Sequence, residues 1–355
     1  MPGSADLSEE LRQSVLEAIR KQTPLRIVAR DSKSFYGRET QGWKLQVDGH
    51  SGVINYQPSE LVITARAGTP LVEIQRLLAG QQQMLAFEPP DFAGAATLGG
   101  TMACGFSGPR RAFAGAARDH MLGCKLIDGR GQVLAFGGEV MKNVAGYDVS
   151  RLMVGALGTL GILLEVSLKV LPLPERESTR CFAMPMQRAL QKMADWQVQS
   201  LPVSGLAYDR GRLYVRLSGM DGAVSAAGKK LGGDVPGQEQ EFWEKLREKR
   251  MDFFDRRNAL WRISVAPQIP ELPVDGRWLY DWGGALRWLK TAAPAGEIFA
   301  AAARVQGHAL QFWGMQRSGQ VFQPLPDNLS VMHRNLKRAF DPRGIFNPGR
   351  MYQEC

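Results

Sequence analysis

Gly155, Gly158 and Gly161 stand three apart in the stretch GEVMKNVAGYDVSRLMVGALGTLGIL (Gly138–Leu163), directly before an apolar run that reads as a β-strand. Glycine gives up more backbone entropy on folding than any other residue, so a cluster of glycines beside a strand signals tight turns or a backbone that must come close to something. Two familiar glycine-rich phosphate motifs fail here. A dinucleotide fingerprint needs G-x-G-x-x-G between a strand and a following helix, whereas these glycines run G-x-x-G-x-x-G into a strand. A P-loop needs four residues between its glycines and then Lys-Ser/Thr; Gly222 to Gly228-Lys229-Lys230 has five between and no hydroxyl after.

A third arrangement remains. Three loops of little bulk occur in order beside strands: ARDSKSFYG (Ala29–Gly37), PPDFAGAATLGGTMACGFSG (Pro89–Gly108) and GALGTLGIL (Gly155–Leu163). Such loops aim backbone N–H groups at an anion or a flat ring. Three of them suit a long ligand with a charged middle; for any one loop alone, tight turns in a packed domain are the favoured explanation.

The rest of the chain fixes an α+β class. Ser8–Lys21 has the apolar spacing of an amphipathic helix, with Leu11, Val15, Leu16 and Ile19 on one face. Leu25–Ala29 reads as a strand, and Gly52–Gly68 as two strands parted by Pro58. Pro70 opens a helix that ends near Gly80. Asp91–Arg111 reads as one long Gly/Ala loop, and His120–Phe136 as a hairpin turning at Asp128-Gly129. Asp148 stands at an N-cap position. Pro174–Ser178 reads as a polar linker, after which strand and helix patterns resume, including a helix over Glu241–Arg256 and a strand followed by a turn in WLYDWGGALRWL. A basic helix and two turn signals, Asp341-Pro342 and Asn347-Pro348-Gly349, close the pattern.

With 355 residues, 44% of them hydrophobic, the chain is long enough for two domains at about 150 residues each. The excess of 44 Lys+Arg over 35 Asp+Glu favours phosphate-bearing or acidic partners, but no dense basic block with interleaved aromatics points to nucleic acid. The four cysteines (Cys104, Cys124, Cys181, Cys355) form no C-x-x-C pair, which argues against an iron–sulfur cluster, a zinc site or a disulfide framework. No secretory signal is expected at the N-terminus, and the longest apolar tract is broken by Glu165 and Lys169. A cytoplasmic protein is expected, attached to the inner face of the cell membrane only through partners.

ATLGGTMACGFSG (Ala96–Gly108) and KNVAGYDVSRLMVGALGTLGILLEVSLKVLP (Lys142–Pro172) resemble the FAD-binding domain of the vanillyl-alcohol oxidase/PCMH superfamily. ELVITARAGTPL, FEPP, SGPRR, VMKNVAGYD, LWRISV and DWGGALRWL resemble the FAD-binding (E) subunits of bacterial glycolate oxidases, so the likeness covers nearly the whole chain. It implies a PCMH-type FAD-binding domain of two α/β subdomains over 1–175, a smaller α+β ferredoxin-like cap over 180–325, and a C-terminal helix and tail, 326–355, returning to the FAD domain. It implies that Ser32, Lys33 and Ser34 sit at the first pyrophosphate loop. Pro90, Asp91, Thr97, Leu98, Gly99, Gly100, Ala103, Cys104, Gly105 and Phe106 would run along the pyrophosphate, ribityl chain and isoalloxazine. Gly158, Thr159, Gly161 and Ile162 would meet the adenine end, with KNVAGYD (Lys142–Asp148) in support. Where relatives carry glycines in the first loop, this chain has Ala29-Arg30-Asp31, a carboxylate that repels phosphate unless turned away, with Arg30 and Lys33 to compensate. The second and third loops therefore carry most of this reading. No histidine lies in the loops, so the FAD is expected to be non-covalent.

The resemblance further implies oxidation of glycolate to glyoxylate within a complex, beside a homologous FAD-containing catalytic subunit and an iron–sulfur subunit. Related enzymes of 2-hydroxy acids carry H-x-G-D-G-N-x-H, and none of His50, His120, His308 and His333 lies in such a cluster. Arg262, Arg287 and His308 are the candidates for a carboxylate-binding cation and a base, with ordinary structural roles as the commoner alternative. Trp282 and Trp288 have the character to stack on a ligand, with core or subunit interface the commoner use of such residues; both are candidate anchors of a subunit interface. A free-standing oxidoreductase of another 2-hydroxy acid such as D-lactate, or a scaffold subunit whose FAD is structural, are the competing readings.

Overall fold

In the computed structural model, which describes residues 5–138, 148–237, 239–314 and 317–354, two antiparallel sheets organise the chain. Helix α1 (Ser8–Lys21) buries Leu11, Val15 and Ala18 along one face. Its first turn carries Glu9 and Glu10 and its last Arg20 and Lys21, which suits the helix dipole. Strands β1 (Leu25–Val28) and β2 (Trp43–Gln46) pair in parallel. Strands β3 (Val53–Gln57) and β4 (Val62–Arg66) are joined by a 3-10 turn at Pro58–Glu60. Helix α2 (Leu71–Ala79) starts after Pro70, and β5 (Gln83–Met84) follows.

The Gly/Ala stretch Asp91–Arg111 is not one loop. It contains helix α3 (Leu98–Cys104) and the short α4 (Arg111–Ala114). Composition hides α3 because its stability is tertiary: Leu98 and Met102 are buried in the core with Ile63 and Ile74, and the Thr97 side chain caps the first turn by accepting from Gly100 N.

Strands β6 (Met121–Ile127) and β7 (Val133–Gly137) form the expected hairpin; Asp148 caps α5 (Val149–Leu152) by accepting from Arg151 N. Strand β8 (Ile162–Lys169) then fills the centre of a five-stranded sheet in the order β3-β4-β8-β6-β7. The expected supporting segment Lys142–Tyr147 lies outside the described residues. β9 (Leu171–Pro172) pairs with β5.

The expected polar linker at Pro174–Ser178 is corrected: strand β10 (Arg176–Ala183) begins inside it. β10 is an edge strand, with Arg176 and Glu177 in solvent and Thr179 and Cys181 turned inward, so its first residues look like linker. Next come α6 (Met186–Gln197), β11 (Val203–Asp209), β12 (Arg212–Gly219), α7 (Asp221–Leu231) and α8 (Glu239–Glu248). The helix expected to reach Arg256 stops at Glu248. Lys249 turns left-handed at φ 58°, and its Nζ folds back to the Leu246 and Arg247 carbonyls at 2.8 and 3.2 Å. After β13 (Leu260–Ser264), WLYDWGGALRWL forms two strands, β14 (Arg277–Asp281) and β15 (Leu286–Lys290), around a tight turn at Trp282–Gly284. Helix α9 (Ala295–Arg304) and β16 (His308–Trp313) complete a seven-stranded sheet, β10-β12-β11-β14-β15-β13-β16. Helix α10 (Asp327–Phe340) leads into the C-terminal turns.

Between the seven-stranded sheet and the loops of the first half lies an aromatic core. Tyr36 and Phe106 from the first half pack with Trp288, Phe312 and Trp313 from the second, with Tyr36–Phe106 and Trp288–Phe312 ring centres 4.7 and 4.8 Å apart. Trp282 and Trp288 belong to this core at 4% and 2% exposure. That overturns their expected role as interface anchors: a side chain buried in its own chain has no surface left for a partner. Buried ion pairs cross the same boundary. Burial alone would raise the Glu88 pKa, but Arg216 and Arg110 outweigh it and the pKa falls.

Candidate functional site

Strand β1 and its following loop, helix α3, the Met153–Leu163 segment and the C-terminal turn enclose a cleft that opens to solvent. The three loops singled out in the sequence converge on it. Ser32, Lys33, Ser34, Thr97, Gly99, Gly100, Ala103, Cys104, Gly158, Gly161 and Ile162 all line it.

Six expected residues are not among its walls. Leu98 is in the core, Gly105 ends α3 at φ 63°, and Phe106 belongs to the aromatic core. Thr159 donates to the Ala156 carbonyl at 2.7 Å. Pro90 is buried, and the Asp91 carboxylate accepts from Gly94 N at 3.2 Å.

The three loops do different work. At α3 the first N–H groups are already used: Leu98 N donates to Thr69 O, Gly99 N to Ala67 O and Gly100 N to Thr97 Oγ1. The first loop is the one with donors to spare. Asp31 takes φ 55°, and among the described residues the N–H groups of Asp31, Ser32 and Lys33 have no acceptor. Backbone of this kind, turning through a left-handed residue, makes a concave anion-binding nest. Lys33 is 7% exposed, and its Nζ donates only to Ser32 Oγ at 3.1 Å. Burial pulls its pKa down and outweighs the Glu248 carboxylate, which stands beyond ion-pair distance. Arg26, Arg30 and Arg350 add positive charge to the same walls, against the single carboxylate of Asp31.

The glycine spacing now has a geometric reason. Gly155 and Gly158 take φ 85° and 69°, which lets the segment double back so that Gly155 N and Leu157 N reach the Met102 and Ala103 carbonyls at the end of α3. Gly161 is needed for close approach instead: a Cβ there would stand 2.9 Å from the Ile127 carbonyl oxygen. Leu157 and Cys104 line the cleft and also touch the aromatic core, so the core closes its inner end. Burial pushes the Cys104 thiol up despite Lys33 and Arg350 nearby.

Asn347 and Arg350, distant in sequence, are walls that sequence reasoning missed. Asn347-Pro348-Gly349 reads as a turn; that its first residue also reaches β1 and the Leu157 carbonyl has no local signal. Of the catalytic candidates, Arg262 on β13 and His308 on the paired β16 are neighbours, Arg262 adding to burial in lowering the His308 pKa, and none of the three lines the cleft. Arg287 is fully buried and spends its guanidinium on the Gly284, Pro270 and Ile269 carbonyls. Arg262 lies over the Trp282 ring, and His308 is exposed on β16. Among the described residues no group of His, Cys, Asp and Glu could hold a metal ion, and no helix is long and apolar enough to cross a membrane.

Comparison with known proteins agrees with this geometry. Residues 5–137 match the family described as FAD binding domain. The alkyldihydroxyacetonephosphate synthase structure superposes with a TM-score of 0.65 at 16% identity, covering 96% of this chain and 74% of that one, which shows a shared fold. The chain is 33% identical over 118 residues to the glycolate oxidase subunit GlcD of Bacillus subtilis (strain 168), covering 33% of this chain and 25% of that protein. It is 48% identical over 350 residues to the glycolate oxidase subunit GlcE of Escherichia coli (strain K12), covering 98% of both. With likeness running from end to end of both proteins, through the cleft and the second sheet alike, the chain belongs to the GlcE family of glycolate oxidase subunits.

Proposed function

We propose that this chain is the FAD-binding subunit of a glycolate oxidase complex that oxidises glycolate to glyoxylate. The observation that carries this reading is the buried Lys33 ammonium in the cleft, beside the N–H groups of Asp31, Ser32 and Lys33, which have no acceptor among the described residues. An anion such as a diphosphate satisfies all of these groups at once. The walls fit the rest of a dinucleotide: Ile27, Ile162 and Leu163 are apolar, and Gly158 and Gly161 keep the backbone bare. FAD, when bound, accepts the hydride or electrons of the oxidation. The chain's own part is to fix its phosphates at Lys33, to hold its length between the loops, and to close the inner end of the cleft with the aromatic core. No covalent attachment is implied, since no histidine lines the cleft and burial keeps the Cys104 thiol protonated.

In this reading residues 1–175 form the flavin domain, 180–325 the cap and 326–355 the return to the flavin domain. Electrons leave through partners: a homologous FAD-containing subunit and an iron–sulfur subunit. Cys104, Cys124 and Cys181 are free thiols and, among the described residues, join no metal-binding group. We place the complex in the cytoplasm, at the inner face of the membrane only through its partners.

Lys33→Met tests the carrying observation. Loss of a charge-assisted contact is expected to weaken FAD binding by roughly 10- to 100-fold, while the melting temperature without FAD holds or rises because a buried cation is gone. Equal FAD affinity in the variant, by fluorescence titration, rules out Lys33 as the phosphate ligand.

A further inference from the structure

Glu88, Phe92 and Ala93 all take left-handed backbone, at φ 46°, 52° and 57°. Non-glycine residues rarely adopt it, and three so close together last only where the surroundings dictate them. Here the surroundings are charged side chains, two of them from the second half of the chain. The Glu88 carboxylate meets Arg216 of β12 at 2.9 Å and the Arg110 N–H at 3.0 Å. Glu248, the last residue of α8, holds the other end: its buried carboxylate accepts from Asp91 N at 3.1 Å and from Phe92 N at 3.0 Å. Arg247 fixes that carboxylate from the side at 2.8 Å.

Phe92 carries the hold to the cleft. Its ring packs against Phe35 and Phe106, with centres 5.8 and 6.0 Å away, and Lys33 Nζ stands 5.1 Å from its centre. An aromatic face attracts a cation, and among the described residues the one hydrogen bond of Lys33 Nζ goes to Ser32 Oγ. The groups whose charge acts on Lys33 are Glu248 and the Cys104 thiol of α3, which in turn faces Arg350 of the C-terminal turn. Burial keeps that thiol protonated, and Asp31, in the same loop as Lys33, turns to Arg26. Glu248 is therefore the carboxylate that works against burial to keep Lys33 charged.

We propose that Glu248 is a positioning residue for the flavin site: from the end of α8 it fastens the Asp91–Phe92 turn, and through the Phe92 ring it holds the Lys33 ammonium at the cleft. The second half of the chain thereby sets the strength of a phosphate contact made entirely by the first half. The proposal rests on the flavoprotein reading for the identity of the anion at Lys33.

FAD affinity of the full chain is measured by fluorescence titration across neutral to alkaline pH. Glu248→Ala should weaken binding at least about tenfold, and much less in the Lys33→Met background, because residues that act through one another are not additive. Glu248→Gln keeps one acceptor oxygen and loses the charge, so its affinity should lie between and should begin to fall at a lower pH than in the wild type. Melting temperatures without FAD show that the variants fold; if Glu248→Ala does not, Glu248→Gln carries both comparisons. Equal losses with and without Lys33, or an alkaline fall that stays where it was, overturn the proposal, since a merely structural glutamate gives both. A wild-type chain that takes up no FAD sinks the flavoprotein reading instead. The titration of Lys33 in the FAD-free chain then decides the Glu248 link: with lysines carbon-13 labelled at Cε and the signal assigned by its loss in Lys33→Met, the midpoint should drop in Glu248→Gln, and an unmoved midpoint overturns it.

Discussion

Asn347 holds the Leu157 carbonyl at 2.8 Å through its Nδ2, while its Oδ1 accepts from Ile27 N at 2.9 Å. One side chain from the C-terminal turn thus ties two walls of the flavin cleft together. A Cβ on Gly158 would stand 2.8 Å from that same Nδ2, so the glycine and the asparagine fit each other.

Asn347→Ala strips both partners and leaves a buried N–H and C=O unpaired, at a cost of about 1–3 kcal/mol each. A melting temperature lower by several degrees and FAD binding weaker by about tenfold are expected. Asn347→Asp keeps the acceptor for Ile27 and loses the donor to Leu157, so it should fall between. Fluorescence titration with FAD is the check; if the alanine variant binds as the wild type does, the tail does not hold the cleft.

Gly161→Val puts a branched side chain where the Ile127 carbonyl oxygen is 2.9 Å from a Cβ. The strand must shift, and weaker FAD binding with a lower melting temperature should result. Gly155→Ala is the matched control: nothing lies within 4 Å of its Cβ, and only the φ of 85° is strained, at about 1–2 kcal/mol. Equal effects of the two on FAD affinity would mean that Gly161 matters for folding alone.

Burial raises the Asp281 pKa to about 6 from 3.8. Between those values the folded chain keeps a proton that the unfolded chain has lost, so this group makes stability fall as pH rises across that window. Asp281→Asn preserves an acceptor for Trp282 N and should remove that slope. Burial also lowers the Lys249 pKa from 10.5 to about 8. There the unfolded chain holds the extra proton, so stability climbs with pH between those values, in the variant too. Urea unfolding of both proteins at several pH values makes the comparison; an unchanged acid-side slope in Asp281→Asn would exclude Asp281 as its source.

Local pattern alone located α1, the β6–β7 hairpin, the Asp148 cap and the strand after the glycines, because these depend on apolar spacing and turn chemistry inside a short window. It also named the three loops. It misread Asp91–Arg111 as loop because α3 is short and glycine-rich, and only Thr97 and burial against the core make it a helix. It misread Arg176–Ser178 as linker because an edge strand shows its polar side to water.

The amino-acid sequence by itself determined the class of fold, the glycine-lined ligand cleft and the absence of a histidine cluster, since residue identity and local spacing are enough for those. Tertiary structure decided which loop offers its donors, because α3 spends its first N–H groups on Thr69, Ala67 and Thr97 while the Asp31 turn leaves its own unused. It decided that Trp282 and Trp288 are buried in the chain's own core and that Asn347 and Arg350 return to the cleft. These outcomes depend on groups hundreds of residues apart meeting in space, and no periodicity or motif within a window records which backbone donors are already taken.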